Sequence, residues 1–272
     1  VKEKKVIAIG AFLFTLVLFS CEKVFDSSPY ETATPKDASY QNTTQTNLNL
    51  LAKIDTTNLT EYKVALLADN HYYYGELQDA VTAINARKDI AFVLILGDLA
   101  DQGLSQEYTL LHDFMNKLTK PYLTIIGNHD YLSNGEDIYQ KMFGPKNYSF
   151  VFNHTKFVMF DDVFWESKET PDFGWLKNEL SQNASFGNTV VCSHIPPYGD
   201  QFTPAYASLY TSILASSNTT LSAHGHLHFS YYDDERYNDS VEYVVIPYTD
   251  NRIYGELTIN RSGGITSKQV SY

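Results

Sequence analysis

Five short clusters in this chain combine carboxylate, amide and imidazole side chains: Asp69-Asn70-His71, Gly97-Asp98, Gly127-Asn128-His129-Asp130, Ser193-His194 and Gly225-His226-Leu227-His228. Their oxygen and nitrogen atoms are donors of the kind that hold manganese, iron or zinc. Five of the eight histidines fall in these clusters. A single His is more often a half-buried packing residue than a ligand, but scattered packing residues would not all sit beside Asp or Gly. Gly225-His226-Leu227-His228 adds direction, because alternate residues of an extended segment point the same way and can reach one centre. Gly97, Gly127 and Gly225 permit tight backbone turns next to it.

Four of the clusters follow apolar runs. Val64–Ala68 leads into Asp69, Ala91–Leu96 into Gly97-Asp98, Tyr122–Ile126 into Gly127-Asn128, and Thr189–Cys192 into Ser193-His194. The runs are continuous rather than alternating, which predicts strands buried on both faces. Between the first two, residues 75–89 carry Leu77, Ala80, Val81 and Ile84 at helical spacing; between the next two, residues 105–117 carry Tyr108, Leu111, Phe114 and Met115. Strand-helix-strand-helix-strand predicts parallel strands with right-handed crossovers. The carboxyl ends of such strands share one edge, where ligands bind. Asp69, Asp98 and Asn128 are therefore expected side by side. Residues 148–152 and 155–160 read as an antiparallel pair ending at Asp161-Asp162, residues 171–180 as a helix, and residues 239–246 and 255–260 as late strands.

A formal net charge of −12 repels a phosphate backbone and excludes general nucleic-acid binding. Two cysteines, Cys21 and Cys192, cannot make a disulfide framework, and Cys192 within a buried strand is expected to be inert. A 43% hydrophobic content with 9 Pro and 14 Gly excludes wholesale disorder and collagen-like repeats.

The ordered set Asp69-X-His71, Gly97-Asp98, Gly127-Asn128-His129-Asp130, His194 and Gly225-His226-X-His228 resembles the calcineurin-like metallophosphoesterases. The resemblance extends from about Lys63 to His228. It implies an α/β fold, a four-layer αββα sandwich of two mixed sheets flanked by helices. It implies two metal ions (Mn, Fe or Zn), one held by Asp69, His71, Asp98 and His228, the other by Asp98, Asn128, His194 and His226. It further implies hydrolysis of a phosphoester by a hydroxide bridging the two ions. His129 would stand over the leaving group, with Asp130 orienting its ring. Purple acid phosphatases carry a ligating Tyr where this chain has Asp101, and Ser/Thr protein phosphatases carry Asp-Arg-Gly where it has Asp101-Gln102-Gly103. The pattern is most similar to the branch containing class III cyclic-nucleotide phosphodiesterases, so a phosphodiester substrate is expected. A phosphomonoesterase or nucleotidase is the rival within the enzyme class, and a non-catalytic surface-binding lipoprotein the rival outside it.

The N-terminal residues read as an address. Lys2, Lys4 and Lys5 precede an uncharged run over residues 6–19, which as a helix spans only ~21 Å against a ~30 Å hydrocarbon core. That pattern predicts a signal peptide over residues 1–20. Leu18-Phe19-Ser20-Cys21 resembles a bacterial lipobox, implying lipidation at Cys21 and an exported protein held by its lipid on the cell envelope, at a bacterial outer membrane. Residues 21–50, rich in Ser, Thr, Asn and Gln, read as a flexible tether, and residues 51–272 as the phosphoesterase domain. Asp101 is a candidate partner for a metal ligand. Tyr72, Tyr73 and Tyr74 are candidate cleft walls, His224 is expected to face solvent, and His112 and His154 to be structural or exposed.

Overall fold

The structure is a computed structural model that describes residues 28–182, 185–198, 201–233, 237 and 239–272. The expected signal peptide and Cys21 lie outside the described residues. The described residues divide between two units, residues 28–31 in the first and residues from 32 onward in the second. Of the first, residues 28–31 form a turn closed by a hydrogen bond from Glu31 N to Ser28 O. Among the described residues no helix is long and apolar enough to cross a membrane.

The second unit contains two β-sheets. The first is built from β1 (Glu61–Leu67), β2 (Ile90–Leu96), β3 (Tyr122–Ile125), β10 (Ile253–Asn260) and β11 (Ile265–Ser271), in the order β11-β10-β1-β2-β3. β1, β2 and β3 are parallel, as their continuous apolar runs predict, and β10 and β11 add antiparallel strands at one edge. The second sheet has the order β4-β5-β6-β7-β9-β8, from β4 (Tyr148–Phe152), β5 (Thr155–Met159), β6 (Asn188–Cys192), β7 (Leu221–His224), β8 (Tyr231–Asp233) and β9 (Glu242–Val245). Here β5, β6, β7 and β9 run parallel, while β4 and β8 are antiparallel edges.

Alternate residues of each buried strand serve different layers. Val64 and Leu66 of β1, with Phe92 and Leu94 of β2, meet Phe157, Val190, Leu221 and Val244 between the sheets. Ala65 and Leu67 point the other way, against α2 (Tyr74–Ala86), α3 (Ser105–Met115) and α4 (Gly135–Met142). The outer face of the second sheet, including Val158, Val191 and Tyr243, is covered by α5 (Phe173–Leu180) and α6 (Pro204–Ala215). These are the four layers of an αββα sandwich.

The tether reading fails from residue 43 onward, and contacts to the domain begin earlier. Residues Thr43–Leu51 form α1, with Thr43, Thr44, Asn47 and Leu51 buried. Asn47 Oδ1 accepts a hydrogen bond from Tyr122 N of β3 at 2.9 Å, and Leu48 and Leu51 join the core between the sheets. Thr32 O and Ala33 O already accept from Asn134 Nδ2 and Ser105 Oγ. Composition misled because this helix is fixed by buried amide and hydroxyl groups rather than by a broad apolar stripe. A chain beginning after residue 52 is therefore expected to melt several degrees lower than one beginning near residue 28, since it leaves Tyr122 N unpaired and apolar core exposed. Thermal unfolding by circular dichroism checks this.

Candidate metal centre

The fold brings the clusters to one edge. Asp69 and His71 follow β1, Asp98 follows β2 and Asn128 follows β3, while His194 follows β6 and both His226 and His228 follow β7. The first sheet supplies four of these residues and the second sheet three. Asp69, His71, Asp98, His226 and His228 all take positive φ, between 41° and 68°. Non-glycine residues seldom adopt that conformation, and such backbone strain concentrates at functional sites. Two glycines make the close approach possible. A Cβ on Gly97, at φ +87°, would lie 2.4 Å from His194 Nδ1, and one on Gly127 would lie 2.2 Å from Asp98 N.

Asp98 sits at the centre. Its Oδ2 lies 3.6 Å from His71 Nε2 and 3.3 Å from His194 Nε2, and its Oδ1 accepts from His129 N at 2.9 Å. Burial works against its ionisation, yet the flanking His194, His129 and His71 hold the carboxyl below the usual range. On one side, His228 Nε2 is 3.4 Å from Asp69 Oδ1, and the Asp69 carboxylate raises the pKa of that ring. Both Asp69 oxygens also accept from His226 N. On the other side, Asn128 Oδ1 lies 3.1 Å from His194 Nε2 and 3.1 Å from His226 Nδ1. His194 donates Nδ1–H to Leu96 O at 2.7 Å, which leaves Nε2 as its donor atom toward the centre. Burial would depress this ring, but Asp98 beside it overrides burial and pushes its pKa up to about 10. The same negative field attracts a cation.

The donor set fits metal ions. Ligand atoms of Asp69, His71 and His228, and of Asp69, Asp98 and His194, lie within 4.8 Å of one another. Both ring nitrogens of His71 are buried without a hydrogen-bond partner. A buried imidazole in that state is costly unless something else engages it. His71, Asp98 and His129 form a third such group, so the geometry also brings His129 within reach.

His129 is one-third exposed and packs edge-on against His71, with ring centroids 4.6 Å apart. It donates Nδ1–H to Asp101 O at 2.7 Å, and Asp101 Oδ1 lies 3.8 Å from the same nitrogen. Nε2 makes no hydrogen bond among the described residues. The residue that orients this ring is Asp101, which also stands 3.5 Å from His71 Nδ1. Asp130 does not do so. Its buried carboxylate accepts from Gly127 N, Leu99 N and Ala100 N, pinning the loops after β2 and β3 together. Burial and the nearby Asp98 charge push its pKa up to about 7 against those three donors. Asp130→Ala leaves three buried N–H groups unpaired and is expected to cost about 3 kcal/mol in urea unfolding, with Asp130→Asn costing less.

Other residues stand apart from their sequence reading. His224 is fully buried, not solvent-facing, and bonds Ser193 Oγ at 3.1 Å and Ser222 Oγ at 2.8 Å. Burial, with His194 nearby, lowers its pKa to about 3 and keeps it neutral. His112, buried in α3, and His154, exposed and bonded to Arg261, agree with the structural or exposed role expected of them. Tyr74 stacks on Phe114 rather than walling the cleft. Three contributors had escaped the sequence reading. Asp162 accepts from His194 N and Ile195 N, Glu166 accepts from Asn128 Nδ2, and Tyr248 stacks on His228 at 5.0 Å. Asp162 carried a usable signal, an acidic residue at the end of an apolar strand like Asp69 and Asp98; Glu166 and Tyr248 lie in loops with none.

A four-layer sandwich that gathers oxygen and nitrogen donors from both sheets onto one edge is the architecture of metal-dependent phosphoric ester hydrolases. The chain belongs to the calcineurin-like phosphoesterase family, whose model matches residues 62–230, more than half of its length. No match was found among curated proteins. Among solved structures, the chain is similar to GAP50, the anchor in the inner membrane complex of Plasmodium, with 14% identity over 78% of this chain and 85% of that one and a TM-score of 0.61. It is also similar to a dimetal phosphatase from Danio rerio, with 12% identity over 78% and 99% of the two chains and a TM-score of 0.59. A 5'-nucleotidase from Candida albicans has 13% identity over 77% of this chain and 52% of its own, with a TM-score of 0.56. At these identities the likeness is one of fold.

Proposed function

We propose that the protein is an exported, lipid-anchored phosphodiesterase with a binuclear metal centre. Asp69, His71, Asp98 and His228 would hold one ion, and Asp98, Asn128, His194 and His226 the other. When bound, such a pair supplies Lewis acidity toward the phosphoryl oxygens and a water-derived nucleophile at neutral pH. His129, its Nδ1–H committed to Asp101 O, would act as the imidazolium, its Nε2–H passing a proton to the departing oxygen and leaving the neutral ring. Asp101 holds the ring in that orientation.

The observation supporting a diester is the aromatic character of the cleft. The rings of His71, Tyr72, Tyr73, Tyr248 and His228 form a closed circuit with successive centroids 4.7 to 6.3 Å apart. Tyr72 is 59% exposed, Phe229 beside His228 52%, and Trp165 beside Glu166 52%. Exposed aromatic surface packed against the donor cluster suits a phosphate that carries organic groups.

Hydrolysis of bis-p-nitrophenyl phosphate and p-nitrophenyl phosphate, with Mn²⁺ and after chelation, tests the reading. Faster diester cleavage that chelation removes is expected; a strong monoester preference would establish a phosphatase instead. Turnover of neither ester by protein holding two ions would favour the binding-protein alternative. Incorporation of labelled palmitate in a bacterial host, lost on Cys21→Ser, tests the anchor.

A further inference from the structure

The loop between β5 and α5 carries a carboxylate into the centre. Its turn is closed by Lys168 N donating to Phe164 O and by Ser167 Oγ donating to Val163 O. Phe164 packs edge-on against Tyr206 of α6 at 5.2 Å, and Thr170 Oγ1 meets Tyr206 OH at 3.2 Å. The loop is thereby fixed to a helix. Glu166, at its tip, accepts through Oε1 from Asn128 Nδ2 and from Gln201 Nε2, each at 3.3 Å. Its other oxygen, Oε2, is buried without a hydrogen-bond partner.

A primary amide has two ends of opposite character, and rotating it by half a turn exchanges them. Asn128 serves as a ligand only with Oδ1 toward His194 and His226. With Nδ2 there instead, a donor would face the ion and two amide and carboxylate oxygens would face each other across 3.3 Å. A carboxylate at Glu166 favours one of these orientations strongly. A purely structural contact would be served better by a neutral amide, because a buried carboxylate oxygen with no partner opposes folding.

We propose that Glu166 is a positioning residue for Asn128, fixing its amide and thereby setting the affinity for the ion shared by Asn128, His194 and His226. The inference rests on the binuclear reading of the centre.

The test is Mn²⁺ binding to the metal-free full chain by isothermal titration calorimetry, for wild type, Glu166→Ala and Glu166→Gln. Wild type is expected to bind two ions. Glu166→Ala is expected to keep one at wild-type affinity and to bind the other 10- to 100-fold more weakly, the range for residues that orient a ligand. Glu166→Gln, which can still present an acceptor to Asn128, is expected to stay within about threefold of wild type. Unchanged affinity at both sites in Glu166→Ala, or equal weakening of both, overturns the proposal. Failure of wild type to bind two ions overturns the binuclear reading instead. Melting of the metal-free variants checks folding. Should Glu166→Ala not fold, Glu166→Asp, whose carboxylate is drawn back by one methylene, carries the same expected loss at one site, and wild-type affinity there overturns the assignment.

Discussion

Asp98→Asn is expected to abolish phosphoester hydrolysis, with kcat/KM down by at least ~10³-fold, and to leave the purified protein depleted of metal. Asp98 stands at the middle of the cluster. Its two oxygens address His71, His194 and the His129 backbone, and in the proposed centre it is the ligand common to both ions. The amide keeps the shape and one acceptor but removes the negative charge that would offset two cations. Activity with both nitrophenyl esters and metal content by mass spectrometry check the outcome together. Metal retained at wild-type level with activity lost would mean that Asp98 acts in chemistry alone.

His129→Ala is expected to lower kcat by 10² to 10⁴ while both ions stay bound, the usual span for a positioned acid or base. The loss should depend on the leaving group. A p-nitrophenolate departs without help, whereas an alkoxide needs a proton, so a methyl or phenyl diester should suffer more than the nitrophenyl one. A uniform loss across leaving groups would point to charge stabilisation rather than proton donation. Loss of a metal ion would show that the proximity of His71, Asp98 and His129 is a ligand set. Asp101→Ala should reproduce a fraction of the effect by releasing side-chain support from the ring, although the backbone carbonyl that holds Nδ1 remains.

The centre was legible because its ligands punctuate apolar runs. Val64–Ala68, Ala91–Leu96 and Tyr122–Ile126 are uninterrupted only because helices and a second sheet bury both of their faces, and continuous runs of that kind have few other uses. What lay between the runs was less readable. Six of the nine residues of α1 are Thr, Gln or Asn, and its three Leu, all in the second half, are too few to set an apolar period. α6 carried a signal, Thr203 accepting from Tyr206 N with Pro204 at the first helical position, but its neighbouring Ser and Tyr residues blur the stripe. β11 alternates between half-buried and exposed residues at a sheet edge, a weaker pattern than a core strand. Asp130 was assigned to His129 because it adjoins it in sequence. Adjacency does not fix direction, and three backbone donors closer to its carboxylate claim it.

The division of the donors between sheets has a mechanical consequence. Asp69, His71, Asp98 and Asn128 ride on one sheet, and His194, His226 and His228 on the other. Ions bound among them would act as a clasp across the two halves of the sandwich, resisting any sliding of one sheet over the other at the edge where the substrate must sit. Occupancy then becomes a source of rigidity as well as reactivity: at a thousandfold excess over Kd, each ion would stabilise the closed sandwich by about 4 kcal/mol. Chelation should lower the melting temperature along with the rate, and a cell short of metal would lose the protein to unfolding and proteolysis as well as losing its turnover.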